Sequence, residues 1–273
     1  MKKSITLVWF LTIATLGQSQ TLLNELALDK PESNPPAFKA MKIVNLQSTK
    51  IADRGDWYMY VSHRFGSIQG GFDTFYGLDK ANTKLEMIYG LSSRIQLGLS
   101  RESLRKTFAG SVKASVLQSL PLRLAIYSTA NINSSLPDET DFQQRLSFAN
   151  QLLVAKRINS KLSLEIAPTH VRFNLPVEEI QKFDQLALGL GGRYKFTKRL
   201  SINADYIYNF NRSEESSYVN PLSIGIDIDT GGHIFQLMFS NAQSANEPGF
   251  ISNAEGDWSE GDIYFGFHIV RVF

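Results

Sequence analysis

From Trp57 onward, apolar residues alternate with polar or small ones over segments of about ten residues, the period of a strand with two unlike faces. In one segment Leu186, Leu188, Leu190, Tyr194 and Phe196 share a face, against Gln185, Ala187, Gly189, Gly191, Arg193 and Lys195. The next sets Leu200, Ile202, Ala204, Tyr206 and Tyr208 against Ser201, Asn203, Asp205 and Asn209. The pattern predicts twelve strands, near 57–65, 83–90, 94–101, 107–117, 121–130, 144–156, 161–170, 184–196, 200–209, 221–229, 233–240 and 261–273. Their connections alternate between short (90–93, 118–120, 159–160, 197–199, 230–232) and long (66–82, 131–143, 171–183, 210–220, 241–260). The brief link 102–106 is the exception. Short turns at one end and long loops at the other are the mark of an outer-membrane barrel.

Period two alone does not separate a membrane barrel from a soluble sandwich. Aromatic residues at strand ends, such as Tyr89, Tyr194, Phe196, Tyr208 and Phe210, suit an interfacial girdle. The expected fold is therefore all-β: a closed antiparallel transmembrane β-barrel of about twelve strands over 57–273, with a short N-terminal periplasmic or plug segment. Ile263, Phe265, Phe267, Ile269 and Phe273 share one face of the last segment. Alternation ending on an aromatic residue resembles the C-terminal signal read by barrel-assembly machinery. Arg271 departs from that pattern, and its stem can snorkel to headgroups.

The N-terminus adds export. Lys2 and Lys3 precede an uncharged apolar run, Ile5 to Leu16, and Gly17-Gln18-Ser19 offers a cleavage site, so residues 1–19 read as a signal peptide. Residues 20–56 read as a leader, packed against or inside the barrel. Leu22 to Leu28 suits a short helix, and Phe38 to Gln47 suits a strand or an extended periplasmic segment.

Composition removes several chemistries. The chain has no cysteine, which excludes disulfides, thiolate metal sites and cysteine nucleophiles. The formal charge of +2 comes from Lys2 and Lys3, so residues 20–273 are neutral and lack a nucleic-acid footprint. No catalytic residue, metal site or cofactor is expected. Gly189-Leu190-Gly191-Gly192 lies inside a strand and suits close packing in the wall, not a nucleotide loop. Glu255, Asp257, Glu260 and Asp262 lack calcium-loop spacing and read as a solvated acidic loop.

The candidate lumen residues are Arg94, Arg123, Glu165, Arg193, Asp205, Asp227 and His268, beside further charges of both signs including Lys84, Glu86, Arg145, Lys195 and Asp229. A one-sign ring would have indicated ion selectivity. Mixed signs suit either a selective pore or a filled, salt-bridged interior. His63 and His233 are candidates for a turn or rim, without a second ligand at metal spacing. The expected partners are outer-membrane lipid, barrel-assembly machinery and a small polar solute that the barrel passes or binds. A structural barrel docking a periplasmic or surface partner is one alternative, and an outer-membrane enzyme another.

Several stretches resemble a Bacteroidota family of uncharacterised outer-membrane β-barrels, domain of unknown function 5777. They are Phe38-Lys39 with Asn45 to Ser48, His63-Arg64-Phe65-Gly66, Tyr76-Gly77-Leu78-Asp79, Tyr89-Gly90-Leu91, Gly231-Gly232-His233, Phe235-Gln236-Leu237, Gly256-Asp257-Trp258 and Phe265-Gly266-Phe267. The resemblance implies an outer-membrane barrel and carries no activity.

Overall fold

The computed structural model describes residues 36–118 and 121–273. The expected signal peptide and the Leu22–Leu28 helix lie outside them. Twelve strands form one closed antiparallel barrel. They are β1 (Trp57–Ser67), β2 (Ala81–Ser92), β3 (Ile95–Glu102), β4 (Thr107–Leu117), β5 (Leu122–Asn133), β6 (Leu146–Arg157), β7 (Leu162–Phe173), β8 (Asp184–Lys195), β9 (Leu200–Asn209), β10 (Leu222–Asp229), β11 (His233–Ser240) and β12 (Tyr264–Val272). Each strand pairs with its sequence neighbours, and β1 pairs with β12 through Val61–Ile269 and His63–Phe267 to close the ring. Closure leaves no free edge, so the wall can satisfy its own backbone groups in lipid.

The alternation decides which face turns inward. Along β9, Ser201, Asn203, Asp205, Ile207 and Asn209 are buried, while Leu200, Ile202, Tyr206 and Tyr208 are exposed. The same holds on β8, where Gln185, Ala187, Gly189, Gly191 and Arg193 point inward. The outer wall is a belt of exposed leucine, isoleucine and phenylalanine, costly in water and favourable in lipid. Leu99, 72% exposed at the middle of β3, belongs to that belt. Leu99→Arg is expected to destabilise the inserted barrel by about 2–4 kcal/mol. Urea titration of folding into lipid vesicles measures it.

The connections follow the expected asymmetry. The exceptional link between β3 and β4 is a single 3-10 turn, Leu104–Lys106, with Arg105 at φ 54°. The segment Phe38–Gln47 corrects the sequence reading. It is neither a strand of the wall nor an extended periplasmic stretch, but a compact hairpin buried in the lumen. Its many inward backbone groups find partners only inside the barrel, which explains why no strand pattern marks it.

Candidate functional site

The hairpin is built on local hydrogen bonds. Ile43 N donates to Leu46 O at 2.8 Å, Ser48 N donates to Met41 O at 2.9 Å, and Lys42 bridges Gln47. Phe38, Ile43, Val44 and Leu46 form its apolar surface and pack with small inward residues of the wall, among them Ala125, Ala149, Ala167 and Ala187. Glycine completes the seat. A Cβ at Gly189 would stand 2.9 Å from Leu46 Cδ1, and one at Gly191 would overlap Ile43. The glycine run in β8 is thus the place where the plug presses on the wall, as close packing there predicted.

Polar groups of the wall grip the plug backbone. Asp205 Oδ2 accepts the N–H groups of Val44, Asn45 and Leu46 at 3.0, 2.7 and 2.9 Å. Asn45 Nδ2 donates to Ser223 Oγ at 2.8 Å and Ser240 Oγ at 3.0 Å, and its Oδ1 accepts from Arg64. Lys113 Nζ donates to the carbonyls of Met41, Ser48 and Lys50 at 3.2, 2.9 and 3.3 Å. Thr49 N donates to Glu165 Oε2 at 3.1 Å, and Ala52 N to Gln96 Oε1 at 2.8 Å. Lys42 is buried against Glu86, with Nζ 2.7 Å from Oε2. Burial holds its ammonium below the ordinary lysine range, and the charge of Glu86 opposes that shift. Buried charges of this kind stay only where they are paired and hydrogen-bonded.

A second insert fills the lumen from the long-loop end. The chain after β11 turns inward as 241–254 and carries one short helix, α1 (Glu247–Ser252), capped by Asn246, whose side chain accepts from Gly249 N at 2.9 Å. Ala242, Ala245, Phe250, Ile251 and Ala254 are buried. Glu102 at the end of β3 holds this insert. It accepts Ala245 N and Asn82 Nδ2, both at 2.6 Å, and also Ser244 Oγ and Asn246 Nδ2. Glu247 is fully buried, accepts Gln47 Nε2 at 2.8 Å and lies 3.7 Å from Lys84 Nζ. Plug and insert therefore meet inside the barrel.

The predicted lumen residues divide accordingly. Asp205 and Glu165 bind the plug backbone directly. Arg193 lies 5.8 Å above the ring of Phe38. Asp227 accepts from Gln236 Nε2 at 2.8 Å, and that amide also donates to Ile43 O at 3.1 Å. His268 faces inward, with Nδ1 2.6 Å from Ser62 Oγ. Arg123 is half-buried on the inward face of β5.

Others stand elsewhere. Arg94 is not a lumen residue: it stands exposed in the β2–β3 turn, because the strand ends before its side chain can turn inward. Lys195 does keep the inward parity: it is partly buried at the end of β8, beside Lys39, Arg193 and Asp229 at the short-turn mouth of the lumen. Arg145 sits in a loop turn and donates to the carbonyls of Leu136, Pro137 and Thr140. His63 is not at a rim. It lies within β1 on the outer wall, stacked on Phe267 at 5.2 Å, with Nδ1 2.9 Å from Thr83 Oγ1. His233 opens β11 at its turn, where its carbonyl accepts from Thr230 N at 3.0 Å. Among the described residues, no three His, Asp or Glu side chains gather as metal ligands.

Sequence reasoning missed the insert 241–254, read there as an outer loop. Its marks were Asn246-Glu247-Pro248, a helix start, beside the unusual density of alanine and the apolar pair Phe250-Ile251. Above the insert lies a cavity of about 530 Å³ opening at the long-loop end. It is walled by the β3–β4, β5–β6 and β7–β8 connections and floored by Ser244, Asn246, Pro248 and Asn253.

The model of a family described as a membrane bound beta barrel domain, domain of unknown function 5777, matches residues 38–273. The chain belongs to this family. The match begins at the plug, so the lumenal hairpin is part of the membrane bound beta barrel domain. Among solved structures the chain resembles the NanC porin, with a TM-score of 0.50 and 8% identity over 79% of this chain and 98% of that one. It also resembles the KdgM porin (TM-score 0.49, 8% identity, 80% and 98% covered). A third is Omp33 of Acinetobacter baumannii (TM-score 0.46, 10% identity, 80% and 98% covered). At these identities the likeness is one of fold. No curated protein matches the chain in sequence.

Proposed function

We propose that this protein is an outer-membrane barrel for a small solute, held in the long-loop cavity and passed only when residues 37–52 leave the lumen. The observation that carries the reading is an open cavity at one end of a barrel whose lumen is blocked by a segment held through hydrogen bonds and ion pairs. In this reading the long loops face the outside, and the short turns face the periplasm. The plug enters and leaves at the short-turn end, where Gly90 makes room for the carbonyl of Asp53. Plug bonds such as these exchange for bonds to water at a net cost of about 0.5–1.5 kcal/mol each. A sliding segment can therefore release them stepwise.

The same reading takes residues 1–19 as a cleaved secretory signal and places insertion with barrel-assembly machinery that reads Ile263–Phe273. It takes the source to be a Bacteroidota outer membrane and assigns the barrel no catalytic step.

Planar-bilayer recording tests it. The whole chain is expected to conduct rarely, and a chain lacking residues 37–52 to conduct more often, with the insert 241–254 as the remaining constriction. Deleting 37–52 and obtaining a folded barrel that stays closed contradicts the reading. That result favours a second one, in which a permanently filled barrel docks a partner through its surface. The exposed aromatics of the β1–β2 connection, Phe72, Phe75 and Tyr76, are what supports this alternative.

A further inference from the structure

The long-loop cavity differs in chemistry from the lumen beneath it. Below it, the plug and insert bond to charged side chains of the wall, among them Asp205, Glu165, Lys113 and Glu102. In the cavity, uncharged hydrogen-bonding groups are left over. The side-chain amides of Gln144 and Gln243 and the hydroxyl of Ser147 make no hydrogen bond within the described residues. Asn253 is nine-tenths buried at the cavity wall. Its Oδ1 accepts from Gln181 Nε2 at 2.9 Å, and its Nδ2 has no partner. Buried amide donors are rarely left unmade without a ligand or water to take them.

The charges at the cavity do not form a one-sign field. Arg105 and Glu255 bring opposite signs, and the Arg145 guanidinium is directed at three loop carbonyls. A site for an anion or a cation would concentrate one sign. Apolar side chains, Leu104, Leu136 and Leu175, line the same cavity as the amides. The volume of about 530 Å³ lies within the range of about 300–1,000 Å³ typical of ligand pockets.

The geometry points to an uncharged, hydroxyl-rich solute, a small neutral oligosaccharide, as the occupant of this cavity. Sugar hydroxyls both donate and accept, which suits free amides of Gln and Asn. The C–H faces of sugar rings suit the leucines of the lining. The proposal rests on the solute-barrel reading and specifies the class of solute.

The test uses the whole chain refolded in detergent micelles, with binding followed by saturation-transfer NMR and calorimetry. Three probes of equal length are compared: maltotriose, trigalacturonate and a glucosamine trimer. Maltotriose is expected to bind at least about tenfold more tightly than either charged trimer, and Gln144→Ala with Gln243→Ala to weaken it by about tenfold. Neither glutamine side chain holds the fold together, since neither is hydrogen-bonded within it. Equal or tighter binding of a charged trimer overturns the assignment. So does maltotriose binding that the double substitution leaves unchanged, or no binding of any trimer. The conductance of the plug deletion uses no saccharide, so a conducting barrel without maltotriose binding refutes the solute class alone. Maltotriose binding to a barrel that never conducts refutes the passage step alone.

Discussion

Asp205→Ala is expected to convert a closed barrel into one that opens frequently. One carboxylate oxygen accepts three consecutive backbone N–H groups at the tip of the plug, those of Val44, Asn45 and Leu46. Removing it leaves three buried donors without partners, at about 1–3 kcal/mol each. The barrel strands do not depend on those bonds, so the penalty falls on the plugged state. A loss of about 3 kcal/mol raises the unplugged population by about a hundredfold. Planar-bilayer recordings are expected to show a matching rise in open probability. Asp205→Asn keeps one acceptor oxygen and is expected to recover part of the closed state. Unchanged conductance in a folded Asp205→Ala barrel would place the closure elsewhere.

Glu102→Ala is expected to release the other insert. Glu102 accepts from Asn82, Ser244, Ala245 and Asn246, joining the β3 rim to the chain just before α1. Its loss strands several buried donors together and lets segment 241–254 swing out of the mouth. Limited proteolysis of the intact barrel reads this directly. Cleavage within 241–254 is expected in the variant and not in the parent chain. Because Asn246 and Asn253 help floor the long-loop cavity, the variant is also expected to lose that cavity. The two carboxylates thus act on opposite ends: Asp205 on the plug and Glu102 on the insert, with Gln47 and Glu247 in contact between them.

How much of this was legible in the chain follows from which interactions are periodic. The wall is periodic, so Leu200, Ile202, Tyr206 and Tyr208 declared its outer face and Ser201, Asn203 and Asp205 its inner one. The inward direction of Asp205, Glu165, Arg193, Asp227 and His268 came from parity alone. Parity does not extend past a strand end, which is why Arg94 was misplaced. For His63 the inference of a turn or rim was the error: a histidine hydrogen-bonded to Thr83 and stacked on Phe267 can stay on the outer wall. The plug and the insert have no period. Their backbones bond to side chains more than a hundred residues away, such as Leu46 to Asp205, and no local pattern announces such partners. Gly189 and Gly191 did announce a close approach. The residues approaching them, Leu46 and Ile43, could only be identified in three dimensions.

The central claim is that residues 37–52 close the lumen and that leaving it opens the barrel. A reversible lock tests it most directly. A Cβ at Gly225 would stand 3.5 Å from Val44 Cγ1 and 2.9 Å from Leu237 O, so a cysteine there asks for a small shift of the wall, and the chain has no cysteine of its own to interfere. In an Asp205→Ala barrel also carrying Val44→Cys and Gly225→Cys, conductance is recorded with the disulfide formed and again after its reduction. Closed channels while the disulfide holds, opening on reduction and closing on reoxidation, are the predicted result. Equal conductance in the two redox states would contradict the account.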